Sequence, residues 1–289
     1  MVATLEFIEG ILVTYAKATD ANRTTPWRRG NVIELSAESG ADVMITADLH
    51  GHRRNFNAIR RIADLANNPG RHLVMQEVCH GGPTYPTNGG CMSHAMLEDV
   101  AKLKATFPER VHFLLSNHEM AEVTDFPILK SKKMLNLLFR MGLQEVYGPA
   151  FERVRKALVE FIESCPVAVH LPGDVWVTHS APERCQMEGF DRGVLERPLD
   201  YADYQEDADL FRMLWGRDHR AENAQAFADA LGAKVLIHGH EPCCEGFAVP
   251  NPVQVIIDCC HDKGRYMILP LDRALTQKEI VERIQPLAG

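Results

Sequence analysis

A chain of 289 residues, 46% hydrophobic and 24% charged, is long enough to bury one large core, and a single domain over 1–289 is expected. The formal charge of -8 argues against the basic stripe that a broad phosphate-backbone footprint needs, so extended nucleic acid is not an expected partner. Leu5 to Ala16 is partly apolar, but Glu6 and Glu9 interrupt it and no basic segment precedes it, which speaks for neither a signal peptide nor a membrane contact and makes the cytoplasm the expected location.

In chain order, helical apolar spacing runs from Leu5 to Lys17, and Thr24-Thr25-Pro26 reads as a loop. Together with an edge strand over Asn31 to Leu35 this makes an N-terminal extension over 1–40. Val43 to Thr46 is a strand followed by a helix from about Arg53 to Ala66, which Asn67-Asn68-Pro69-Gly70 closes. A second strand, Leu73 to Gln76, leads through the Gly- and Pro-rich loop Glu77 to Gly90 into a helix over Ser93 to Thr106. A third strand, Val111 to Leu115, delivers a loop carrying Asn117 and His118 and completes an alternation that predicts a largely parallel sheet.

Residues 129–164 carry a helical period broken near Gly142 and Gly148-Pro149, giving two helices that read as a basic helical cap. Beyond it come strands at Val167 to His170, Val175 to Thr178, Val235 to His238, Val253 to Ile257 and Tyr266 to Leu269. Leu171-Pro172-Gly173-Asp174 reads as a hairpin turn, so a more antiparallel second sheet is expected. The predicted fold is α/β, a two-sheet β-sandwich flanked by helices. Eight cysteines in a chain of this size, two pairs of them adjacent, read as reduced thiols.

Polar donors follow these strands. Asp48 and His50 stand in Ala-Asp-Leu-His-Gly-His, Glu77 follows Gln76, Asn117 stands in Ser-Asn-His-Glu, His179 in Thr-His-Ser and His240 in His-Gly-His. Open α/β sheets collect ligands at the carboxyl ends of their strands. A carboxylate, amide and imidazole set with no thiolate suits manganese, iron or zinc better than calcium or magnesium, and six donors suffice for two divalent ions sharing a carboxylate. Such a pair lowers the pKa of water and clamps a phosphoryl oxygen.

In this order the motifs Ala47-Asp48-Leu49-His50-Gly51, Ser116-Asn117-His118-Glu119, His179 and Gly239-His240 resemble those of the calcineurin-like metallophosphoesterase superfamily. The likeness is to its phosphoprotein phosphatase branch, which includes serine/threonine protein phosphatases and diadenosine tetraphosphatases. The resemblance covers about residues 42–260. It implies that Asp48 and His50 hold one metal, that Glu77 bridges both, and that Asn117, His179 and His240 hold the second. It also implies that His118 protonates the leaving alkoxide and that Arg217 grips the phosphate through a fork of donors. The pattern departs at Gln76-Glu77-Val78-Cys79-His80-Gly81-Gly82, where the family has Gly-Asp-x-x-Asp-Arg-Gly. Glu77 replaces the bridging Asp, His80 the Asp that orients the catalytic His, and Gly81 a phosphate-binding Arg.

The resemblance implies a metal-dependent phosphoesterase acting on phosphomonoesters, with phosphoserine or phosphothreonine in proteins as one substrate class and a hydroxide bridging two ions, manganese first, as nucleophile. Cleavage of a dinucleoside polyphosphate is the second reading. A metal-binding regulatory protein with weak catalysis, motivated by His80 and Gly81, is the third.

Overall fold

The computed structural model describes residues 3–287. In chain order these form α1 (Leu5–Thr24), β1 (Arg28–Arg29), β2 (Val32–Glu34), β3 (Asp42–Ile45), α2 (Arg53–Ala63), β4 (Arg71–Gln76) and α3 (His94–Thr106). Next come β5 (Val111–Leu114), α4 (Asn117–Thr124), the short strands β6 (Leu129–Lys130) and β7 (Lys133–Met134), α5 (Leu135–Tyr147) and α6 (Phe151–Glu163). The second half contains β8 (Ala168–Leu171), β9 (Val175–Thr178), α7 (Cys185–Glu188), α8 (Gly193–Glu196), α9 (Asp209–Trp215), α10 (Ala221–Leu231) and β10 (Val235–His238). It closes with β11 (Phe247–Ala248), β12 (Gln254–Ile257), β13 (Arg265–Pro270), α11 (Gln277–Val281) and β14 (Ile284–Pro286).

Two mixed sheets carry the structure. One has five strands in the order β14-β13-β3-β4-β5, and the other has seven in the order β1-β2-β8-β9-β10-β12-β11. The parallel pairing of β3, β4 and β5 matches the expectation for the first half. The second sheet is less antiparallel than expected, because β9, β10 and β12 pair in parallel. The hairpin β8–β9 is antiparallel, as its Pro-Gly-Asp turn predicts. Strand β13 joins the first sheet beside β3. The central strands are buried along their whole length, and residues of both sheets share one hydrophobic core. Burying each Val, Leu, Ile or Phe there contributes about 1.5–3 kcal/mol.

Helix α1 runs well beyond Lys17, because Ala18, Ala21 and Asn22 continue the buried stripe begun by Ile8, Ile11 and Tyr15. It packs against α3 and α6, with the Tyr15 and Phe161 rings 5.8 Å apart. Helices α5 and α6 bury Phe139, Leu143, Tyr147, Val154, Leu158, Phe161 and Ile162, so the helical segment predicted over 129–164 lies within the same layer as α1 and α3. That segment opens on the β6–β7 hairpin instead of a helix. Ser131 and Lys132 take φ of +50° and +63° at its turn, without the Gly or Asn that normally announces one. None of the described helices is long and apolar enough to cross a membrane, and all eight cysteines are free.

Candidate metal centre

The fold brings the donors together by ending five strands at one place. Asp48, Glu77 and Asn117 lie just past the carboxyl ends of β3, β4 and β5, which are adjacent in one sheet. His179 and His240 follow β9 and β10, adjacent in the other. The Asp48 carboxylate accepts from the His240 amide at 3.0 Å, tying the two sheets together at the site. Gly239 permits that approach, since a Cβ there would overlap Asp48 Oδ1.

His179 is the centre of the arrangement. Gln76 Nε2 is turned toward the Thr46 carbonyl, which leaves Gln76 Oε1 to accept from His179 Nδ1 at 2.8 Å. The Nε2 lone pair of a neutral His179 then meets two oxygen acceptors and the His240 ring. Asn117 Oδ1 lies at 2.8 Å, Glu77 Oε2 at 2.9 Å and His240 Nδ1 at 3.1 Å. Burial pushes the His179 pKa down, so the imidazole itself does not supply a proton to these oxygens. The His179, Asn117 and Glu77 lone pairs converge in a buried space where a cation would satisfy them together, and Glu77 Oε2 and His240 Nε2 have no hydrogen-bond partner. The donors fit a divalent ion.

A second group faces the other Glu77 oxygen. His50 Nε2 and His118 Nε2 each lie 3.5 Å from Glu77 Oε1. His50 Nδ1 donates to the Cys79 carbonyl at 3.2 Å, leaving Nε2 unprotonated, and burial lowers its pKa to about 4. Glu77 thus stands between two donor groups, His50 with His118 and His179 with His240. Burial first, then the neighbouring charges of Glu77 and Glu119 respectively, hold the Asp48 and Glu77 carboxyls well above their usual range. A bound cation would reverse that shift.

The backbone is strained where these side chains emerge. His50, Glu77, His80 and His240 all have positive φ, between +41° and +64°, each costing on the order of 1–3 kcal/mol. Glu119 offsets part of this by accepting from the Val78 and Cys79 amides at 3.0 and 2.9 Å while its other oxygen pairs with the Ser116 hydroxyl. Cys79 is fully buried, and burial pushes its thiol up, so it is inert.

Arg217 lies beside the centre with its side chain about half exposed. Its Nη1 donates to the His240 carbonyl at 2.8 Å and to Glu241 at 2.6 Å. Trp215, stacked on Phe211 and near Phe126, fixes the approach of this segment. The neighbouring histidines serve the scaffold. His52 caps α2 by accepting from the Asn55 amide, and His238 bonds Thr178.

Asn117 and His118 do not lie on the loop expected after β5. They are the first residues of α4, capped by Ser116, and the Ser116-x-x-Glu119 spacing is a capping signal that could have shown it. The helix in turn brings up Glu122, one turn beyond His118 and missed from sequence. His80 Nδ1 lies 3.0 Å from His118 Nδ1, and His80 Nε2 lies 2.8 Å from Glu122 Oε1. Gln76, which orients His179, was also missed.

A family model for calcineurin-like phosphoesterases matches residues 41–244. No curated protein matches the chain. Solved structures similar to it include a protein serine/threonine phosphatase from Saccharomyces cerevisiae with similarity to human phosphatase PP5, with a TM-score of 0.71 and 12% identity over 98% of this chain and 90% of that one. A cold-active protein tyrosine phosphatase gives 0.55 and 12% over 83% and 75%. Another, from a psychrophilic Shewanella species, gives 0.52 and 13% over 83% and 77%. At these identities the likeness is one of fold. The family match spans most of the chain, including every strand end that supplies a donor, and the donors suit divalent cations; this protein therefore belongs to the calcineurin-like phosphoesterases, metal-dependent hydrolases of phosphoester bonds.

Proposed function

We propose that the protein hydrolyses phosphomonoesters, phosphoserine or phosphothreonine in proteins among them, at a pair of divalent cations. Asp48, His50 and Glu77 would hold one and Glu77, Asn117, His179 and His240 the other. The observation that carries this reading is the convergence of Asn117 Oδ1, Glu77 Oε2 and His240 Nδ1 on the bare Nε2 of His179. When bound, two such cations supply Lewis-acid polarisation of the phosphoryl oxygens and a water of lowered pKa. Manganese, iron or zinc suits the mixed oxygen and nitrogen set.

The protein's own groups do the rest. Arg217 offers its remaining guanidinium donors to the phosphate. His118, half a turn into α4 and facing Glu77, is placed to give its Nε2 proton to the departing alkoxide, a contribution worth roughly 10²–10⁴-fold. Its pKa is held low by burial and by the surrounding imidazoles of His50 and His80.

Cleavage of dinucleoside polyphosphates is supported by a separate feature. The exposed β6–β7 hairpin carries Lys130, Lys132 and Lys133, and the Lys130 charge acts on both His50 and Glu77. Metal analysis of the purified protein, followed by turnover of p-nitrophenyl phosphate, phosphoserine peptides and diadenosine tetraphosphate with Mn²⁺, separates the readings. Hydrolysis of the polyphosphate alone would reject the phosphomonoesterase reading, and bound metal without turnover of any of the three would reject both.

A further inference from the structure

The buried file Glu122, His80, His118 has a direction that the atoms themselves set. Asn136 accepts from the Ile128 amide through Oδ1 at 2.9 Å, which turns its Nδ2 toward Glu122 Oε1 at 3.1 Å. The Glu122 oxygen therefore faces two donors, Asn136 and His80, and acts as acceptor for both. In its neutral form His80 then carries its proton on Nε2, and its Nδ1 is a lone pair. At 3.0 Å from His118 Nδ1 that lone pair can only accept. His118 is thus protonated on Nδ1 and presents Nε2 toward Glu77 Oε1.

The opposite arrangement fails twice. A His118 proton on Nε2 alone would set two lone pairs against each other at Nδ1, and turning the His80 proton to relieve this would aim its bare Nε2 at Glu122. His80 itself has little freedom. Its amide donates to Ser93 Oγ at 3.0 Å, its ring stands edge-on to Phe139, and it is almost wholly buried.

We infer that His80, held by Glu122 and Asn136, is a positioning residue that fixes the tautomer and aim of His118, doing through an imidazole what a carboxylate in its place would do directly. The inference rests on the proposed phosphomonoesterase reading for its catalytic consequence. During turnover His118 Nε2, protonated from solvent as the phosphate dianion binds, gives that proton to the leaving oxygen as the P–O bond breaks, while the attacking water forms its bond to phosphorus and releases its own proton to solvent. His118 returns to the Nδ1–H form, still donating to His80.

A poor leaving group needs that proton and an activated one hardly does. In His80→Ala the ratio of kcat for p-nitrophenyl phosphate to kcat for an alkyl phosphate such as phosphoserine should rise about 10–100-fold. Because both rates come from one preparation, a partly unfolded variant does not change the ratio. His80→Gln, which keeps an acceptor for His118 and a donor for Glu122, should bring the ratio back toward that of the native protein. Long-range ¹H–¹⁵N NMR of the Zn²⁺-loaded native protein gives a reading that needs no turnover: the His118 proton should sit on Nδ1. An unchanged ratio in His80→Ala, a His80→Gln variant no better than His80→Ala, or a His118 proton on Nε2 alone would each overturn the inference. Native protein that turned over no phosphomonoester would instead reject the functional reading, leaving the NMR result to decide this one.

Discussion

The backbones of His50 and Gly81 cross so closely that a Cβ at 81 would overlap the His50 carbonyl. Gly81 also sits at φ +156°, outside the usual range of L side chains. The arginine that the family carries here therefore has no room. Gly81→Ala should displace the loop bearing Glu77 and His80 by something on the order of an ångström, and kcat should fall by about 10²-fold. Kinetics with p-nitrophenyl phosphate, alongside a thermal melt to confirm folding, checks this; near-native kcat would mean the crossing is not needed for the site's geometry.

Asp48 and Glu77 are buried acids held together at a cost that a bound cation removes. Chelation should lower the melting temperature. At metal concentrations about 100-fold above Kd the loss is about 2.7 kcal/mol, or roughly 5 °C for a chain of this size. Glu77→Gln should shrink the gap between loaded and chelated protein, and metal analysis should find less ion per chain. Scanning fluorimetry with Mn²⁺ or EDTA reads the effect, and an undiminished gap in Glu77→Gln would remove Glu77 from the ligand set.

Arg217 is shared between the centre and Glu241. Arg217→Lys loses the planar fork and should weaken competitive inhibition by inorganic phosphate about 10-fold. Glu241→Gln removes the competing carboxylate and should tighten it. Inhibition constants for phosphate measure both, and a tighter constant for Arg217→Lys would contradict the assignment.

Far from the centre, His72 and His112 form a buried pair on β4 and β5. His72 Nε2 donates to the Ser39 carbonyl at 3.0 Å and His72 Nδ1 faces His112 Nε2 at 3.0 Å. Burial pushes both pKa values below 6.5, His112 much further. The unfolded chain therefore binds more protons than the native one as pH falls through 6.5. The stability that this pair contributes is present above that pH and is lost as pH drops toward the depressed native values, by up to about 1.4 kcal/mol per pH unit for each proton. Melting temperatures at pH 7.5 and 5.5 should differ less in His112→Gln than in the native protein; an equal difference would place the acid sensitivity elsewhere.

The sequence made the strands and their donors legible for one physical reason. A buried parallel strand is a short apolar run, and the first polar residues after it mark its carboxyl end, as with Val43 to Ile45 before Asp48 and Val235 to Ile237 before His240. Its limits were equally physical. Asn136, Glu122 and Gln76 act through contacts made across tens of residues, which no local period records. The β6–β7 hairpin is too short for a period-2 signal, and its turn uses Ser131 and Lys132 where glycine is customary. The pairing of β13 with β3 joins segments more than 200 positions apart, so its place in the first sheet had no local signature.

The α1 helix gives a different boundary from the one shared by descent. The family match begins at residue 41, yet Tyr15 packs against Phe161 and β2 is hydrogen-bonded into the sheet between β1 and β8. A polypeptide trimmed to 41–289 would retain every metal donor while baring the apolar flanks of α3 and α6 and an open edge on β8. Such a trimmed chain should be recovered as aggregate, because the unit that inherits the chemistry is shorter than the unit able to stand alone in water.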